Sequence, residues 1–207
     1  MDKKAHSALR KQAKLHGYGS VYELISKNGQ LKLETAASKS SLFEYLIKTV
    51  TGQQLSKKAA TSIFNRIVDL STENKTDLYN LIDEKNSEAL LSCGVSRNKV
   101  KAMVSLKTAF LDGVLSESMR GSDRNHIHTA ITSVWGYGNW SADMTVMSYF
   151  CYPDIWSEDD VTLRKGVEKL VGVTDVEACN SVVEHFSPYR SYLALHIWKG
   201  VDDGLIV

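Results

Sequence analysis

An acid at the head of an apolar segment and a pair of closely spaced glycines are the features of this chain best suited to chemistry. The run Trp156-Ser157-Glu158-Asp159-Asp160-Val161-Thr162-Leu163-Arg164 puts Asp160 where a helical pattern begins. Ser157 and Asp160 have the Ser-x-x-Asp/Glu spacing of a capping box, which makes a structural role for Asp160 natural. The macrodipole favours negative charge at that end of a helix. The same position therefore suits a carboxylate that must stabilise positive charge, and spacing alone leaves both roles open. Upstream, a helical segment ends at Val134, Gly136 and Gly138 follow, and a new periodic segment starts near Asn139 and Trp140. Glycines permit a tight turn and a close approach to another surface. The first amides of the new helix form an anion site. A plain two-glycine helix–helix turn remains the alternative.

The elements needed to hold these residues are helices. Leu42, Phe43, Leu46, Ile47 and Val50 share a helical face; Leu55, Ala59, Ala60, Ile63, Phe64 and Ile67 repeat the pattern. Leu163, Val167, Leu170 and Val171 form a third stripe, and Leu193, Ile197 and Trp198 a fourth. Ser187-Pro188 reads as a cap with proline at the first helical position. Period-two runs are scarce, so the expected class is all-α. Residues 52–135 are expected to form a continuous middle lobe ending in a hairpin at 134–139. Residues 1–51 and 136–207 would make a second lobe, with a central cleft between the two.

Composition bounds the function. The 207 residues carry 25 Lys and Arg against 24 Asp and Glu, a net charge of +1, so bulk attraction to a polyanion is weak. Basic residues do cluster at Lys3, Lys4, Arg10, Lys11 and Lys14 and at Arg97, Lys99, Lys101 and Lys107. Solvated helix faces explain them as well as contact with nucleic acid does. Cys93, Cys151 and Cys179 are far apart, with no Cys-x-x-Cys pair, so neither a zinc ribbon nor an iron–sulfur cluster is expected. No apolar run approaches the roughly 20 residues of a membrane helix, and the N-terminus is too polar for a signal peptide. An intracellular, monomeric protein with no membrane association is expected.

Taken together, the segments resemble the helix-hairpin-helix superfamily of DNA glycosylases, nearest to its 3-methyladenine-DNA glycosylase II branch. Thr51-Gly52-Gln53-Gln54-Leu55-Ser56 is similar to the loop that enters the duplex, and Gly94-Val95-Ser96-Arg97-Asn98-Lys99-Val100 to the start of the middle helix. The hairpin comes third and the Asp159-Asp160 segment fourth. Ser187-Pro188-Tyr189-Arg190-Ser191-Tyr192 through Trp198 resembles the final helix. The likeness spans roughly residues 40–200.

The resemblance implies double-stranded DNA with a damaged base as partner, base flipping, and Asp160 as the catalytic carboxylate. Gln53, Gln54 and Leu55 become wedge candidates, with Gln54 and Leu55 preferred. Gly136, Gly138 and Asn139 would hold a phosphate. A monovalent cation, K+ or Na+, on hairpin carbonyls is also implied; no other metal or cofactor is expected. Arg97 and Lys99 would add salt-dependent affinity. Trp140 and Trp198 fall at aromatic pocket positions, while Met144 and Val161 stand where the nearest relatives have tyrosines. Trp135 replaces the usual proline before the first hairpin glycine. Relatives that also cut the strand carry a lysine where this chain has Trp140, so no Schiff base is expected. The expected activity is monofunctional excision of alkylated purines in base excision repair, in a bacterial cytoplasm or a nucleus. A glycosylase for oxidised or deaminated bases and a non-catalytic damage-binding module are the alternatives.

Overall fold

Helices make up most of the described chain. The computed structural model describes residues 2–206. Its helices are α1 (Asp2–Leu15), α2 (Gly19–Asn28), α3 (Leu42–Gly52), α4 (Lys57–Glu73), α5 (Leu78–Leu81), α6 (Ser87–Ser92), α7 (Arg97–Leu111), α8 (Arg124–Thr132), α9 (Asn139–Ser148), α10 (Val161–Val171), α11 (Val176–Glu184) and α12 (Arg190–Asp202). Among the described residues there is no strand, and the class is all-α. No helix among them is long and apolar enough to cross a membrane.

The chain divides into two compact units, Met1–Thr35 with Val146–Val207, and Ala36–Thr145. These limits differ from the sequence-based ones at 51/52 and 135/136. The reason is packing: α3 lies against α4, α5 and α7, and buried Tyr137 of the hairpin donates its hydroxyl hydrogen to the Leu46 carbonyl of α3. Both α3 and the hairpin therefore belong with the middle helices.

In the 36–145 unit, Ser41 and Glu44 form a reciprocal capping box that starts α3. The helix buries Leu42, Phe43, Leu46, Ile47 and Val50, the whole expected stripe. Met103 and Leu106 of α7, which packs against α3, and Ile127 and Ile131 of α8 are likewise sealed from solvent. Each such side chain contributes about 1.5–3 kcal/mol relative to exposure. α4 departs from expectation. Its cap is Ser56, so Leu55 stands outside the helix, and of the predicted stripe only Ile67 is fully buried. Ala60 and Phe64 instead line an open groove.

In the other unit, Ala5, Leu9 and Ala13 seat α1 on α2, and α10 packs against α12. Proline does not open α12 as its position suggested. Pro188 lies ahead of the helix, which starts at Arg190. Asp154 does the capping instead, accepting from the Arg190 backbone N–H at 3.2 Å and the Ser187 hydroxyl at 3.0 Å. The Arg190 guanidinium grips the same carboxylate from Nε at 2.8 Å. Burial works against the charged form of Asp154, but these Arg190 bonds outweigh it and hold its pKa below the ordinary range.

Candidate functional site

The hairpin is built to be rigid. α8 ends at Thr132 and α9 begins at Asn139, leaving residues 133–138 as the turn. Gly136 has φ +88°, and a Cβ there would stand 2.5 Å from Ala102 Cβ on α7. Conformation and space both demand glycine. Gly138 differs: its φ is ordinary and a Cβ would meet nothing within 4 Å. The inward glycine closes the hairpin on α7, while the other faces open space. Tyr137 is buried beside them, its phenol pushed well above the ordinary range by that burial. His128 of α8 approaches Asp143 of α9 at 3.5 Å, across the turn. Lys101 lies 4.3 Å from the ring centroid of exposed Trp135.

Next to the hairpin runs the loop between α3 and α4. Gln53, a wedge candidate alongside Gln54 and Leu55, has its side chain occupied. Its amide donates to the Gly136 carbonyl and to Ser141 Oγ, each at 3.0 Å. Gln54 and Leu55 are exposed, and Gln54 holds a left-handed φ of +57°. Lys99, grouped with the cationic face of α7, turns inward. Its Nζ donates to the carbonyls of Thr51 and Gln53 at 2.8 Å each, and burial lowers its pKa. Arg97 remains exposed. Lys99 and Ser141 join this network from segments far from Gln53 in the chain, with no shared local pattern that would mark them.

Trp140, half-buried, lines a groove of about 650 Å³ together with Tyr45, Lys48, Gly52, Lys57 and Phe64. Met144 is buried one turn further along α9, where its carbonyl accepts the Tyr45 hydroxyl at 3.1 Å. An aromatic wall with lysines at its rim suits a flat ring and a nearby phosphate.

In the other unit Asp160 is itself the N-cap of α10, accepting the Leu163 N–H at 2.9 Å. The predicted Ser157–Asp160 capping box does not form. Residues 157–160 fold as a turn with the Asp160 N–H on the Ser157 carbonyl at 3.2 Å, so the helix starts later. Ser157 Oγ is left buried without a hydrogen-bond partner. The Asp160 residue is 9% exposed, whereas adjacent Val161 is 51% exposed. α10 is held against α12 at Gly166, where a Cβ would come 2.3 Å from Ile197 Cγ2. Trp198, half-buried, follows Ile197 on α12. None of the three cysteines is in a disulfide; burial pushes the thiols of Cys93 and Cys179 up. Among the described residues no three His, Cys, Asp or Glu side chains gather as metal ligands.

No protein-family model matches the chain. It is 27% identical over 182 residues to DNA-3-methyladenine glycosylase 1 of Schizosaccharomyces pombe, covering 85% of this chain and 79% of that protein. It is 25% identical over 164 residues to DNA-3-methyladenine glycosylase 2 of Escherichia coli, covering 75% and 56%. Among solved structures, the S. pombe 3-methyladenine DNA glycosylase in complex with abasic DNA superposes with a TM-score of 0.83 at 24% identity, over 96% of this chain and 97% of that one. The likeness defines a helical fold organised around a helix-hairpin-helix. In sequence the chain is similar to 3-methyladenine-DNA glycosylases, and in fold to a solved member of that group.

Proposed function

We propose that the protein is a monofunctional DNA glycosylase that releases alkylated purines of the 3-methyladenine type from double-stranded DNA. The observation that carries this reading is the braced hairpin with Gly138 open to the outside, followed one helix later by Asp160 at the head of α10. α9 leaves its first amides without intrahelical acceptors, and with Gly138 and Asn139 they suit a phosphate oxygen. Phosphate contacts of this kind set register and carry no sequence information.

The target nucleotide leaves the stack at a cost of a few kcal/mol. Exposed Gln54 and Leu55 fill the space it vacates. Trp140 and Trp198 contact the extruded base; an alkylated, cationic purine over an aromatic face gains about 0.5–2 kcal/mol. Met144 and Val161 are further candidates for contact with the base, each less polar than the tyrosine that relatives carry there. The C1′–N bond then breaks, its electron pair leaving with the base, which departs neutral. The Asp160 carboxylate stabilises the positive charge growing on the sugar. Water bonds to C1′, and Asp160 accepts its proton. Position 140 offers no amine, so covalent strand cleavage of the Schiff-base kind has no agent there.

A monovalent cation belongs to this proposal. The hairpin carbonyls of Val134, Gly136 and Gly138 each accept one hydrogen bond, and each keeps a second lone pair. That donor set fits a K+ or Na+ ion, which would supply only positive charge beside the bound phosphate. The site of action is a compartment that holds DNA, either a bacterial cytoplasm or a nucleus.

Incubation with methylated duplex DNA and identification of released bases tests the reading; release of 3-methyladenine is expected, and release of oxidised or deaminated bases alone would favour the alternative glycosylase. Asp160→Asn separates catalysis from capping. Asn caps a helix about as well as Asp, so stability should change by about 0.5 kcal/mol or less. Base release should fall about a hundredfold or more, with DNA binding retained. Unchanged release would remove Asp160 from the mechanism.

A further inference from the structure

The Thr51–Ser56 connection between α3 and α4 carries the two exposed residues assigned to the duplex, and it is unusually well tied. Thr51 and Gln53 lie at the C-terminal end of α3, where carbonyls lack intrahelical donors and negative partial charge accumulates. Lys99 reaches across from α7 and satisfies both with one ammonium group, at 2.8 Å each. Gln53 spends its side-chain amide on Gly136 of the hairpin and Ser141 of α9, at 3.0 Å each. One residue is thus bonded on three sides, to α7, to the hairpin and to the helix that begins after it. Its neighbour Gln54 sits at φ +57°, a conformation a side-chain-bearing residue keeps when its surroundings impose it.

We propose that Lys99 and Gln53 are positioning residues that lock the 53–55 loop to the hairpin, so that Gln54 and Leu55 meet the duplex in one pre-set conformation. The inference rests on the glycosylase reading above. A loop ordered before encounter loses no conformational freedom when the base is extruded. The hairpin grips the backbone while the loop enters the stack, and Gln53 makes the two a single rigid piece. The lock serves extrusion and has no part in bond cleavage.

The test uses the full chain, wild type and three variants: Lys99→Met, Gln53→Leu and Lys99→Arg. The probe is a duplex carrying one 7-methylguanine, either paired with cytosine or held in an unpaired loop. Lys99→Met and Gln53→Leu should lose about tenfold more base release at the paired site than at the unpaired one, because each removes charge-assisted or amide hydrogen bonds needed only for extrusion. Lys99→Arg, which keeps a cationic donor, should restore most of the paired-site release. Equal losses at both sites would mean general damage and overturn the lock. Hydrogen exchange of residues 51–56 in the free protein gives a readout independent of catalysis: exchange should rise about tenfold or more in Lys99→Met, and unchanged exchange overturns the lock. If wild type releases no base at all, the glycosylase reading fails, and the exchange result still decides whether the loop is locked.

Discussion

Gly136 and Gly138 look alike in the sequence, and their surroundings make them opposites. At Gly136 a methyl group would collide with Ala102 on α7 and occupy a left-handed φ of +88°. Gly136→Ala should therefore destabilise the fold by about 2–4 kcal/mol, from backbone strain plus overpacking, read as a lower melting temperature. At Gly138 neither penalty exists. Gly138→Ala should melt within about 0.5 kcal/mol of wild type but bind duplex DNA several-fold more weakly, because the proposed phosphate contact would meet the added methyl. Equal affinity for Gly138→Ala would show that this face does not meet the backbone. Gln53 and Gln54 are the same residue type side by side, and only partners across the fold distinguish the tied Gln53 from the exposed Gln54.

At the scale of elements, the catalytic candidate depends on how α10 meets α12. Gly166 permits contact so close that a Cβ would stand 2.3 Å from Ile197 Cγ2. Gly166→Ala should cost about 1–3 kcal/mol through overpacking despite its better helix propensity. The double variant with Ile197→Ala should recover part of that loss, a coupling measurable by denaturant melts. Strict additivity would place the strain elsewhere. Element existence was legible because the apolar stripes of α3, α10 and α12 repeat cleanly. The start of α12 was misplaced because Asp154, 36 residues before Arg190 in the chain, supplies the cap that Ser187 was expected to provide. The half-exposed stripe of α4 was misjudged for a related reason: periodicity marks an apolar face, and a groove wall carries one as readily as a core does.

At the scale of the whole molecule, a near-neutral chain of net charge +1 should bind DNA through a few placed groups, so its stability and its binding respond to different ionisations. His196 of α12 is 1% exposed, lies beside His6 at 6.2 Å between ring centroids, and faces the Asn28 amide at 3.3 Å. Burial first, and the neighbouring His6 second, lower its pKa from 6.5 to about 4. A folded-state value below the unfolded one means that the unfolded chain takes up the proton first. Stability from this group is full above pH 6.5, declines as the pH falls, and is gone by about pH 4. The loss amounts to about 3 kcal/mol. Denaturant melts between pH 7 and 4 should show that slope, and His196→Gln should flatten it; an unchanged slope would assign the acid sensitivity to other groups.

What the chain determined by itself was local: apolar period, glycine and acid placement, the absence of a lysine at 140, and the order of segments along residues 40–200. Those depend on near neighbours in sequence, so they survive without coordinates. The tertiary structure decided which of two glycines faces outward, which of two glutamines is tied down, and that Lys99 spends its charge on α3 instead of presenting it to solvent. Such assignments depend on atoms brought together from distant segments, and hydrogen bonds of 2.8–3.0 Å between residues up to 88 positions apart leave no periodic trace in a linear chain.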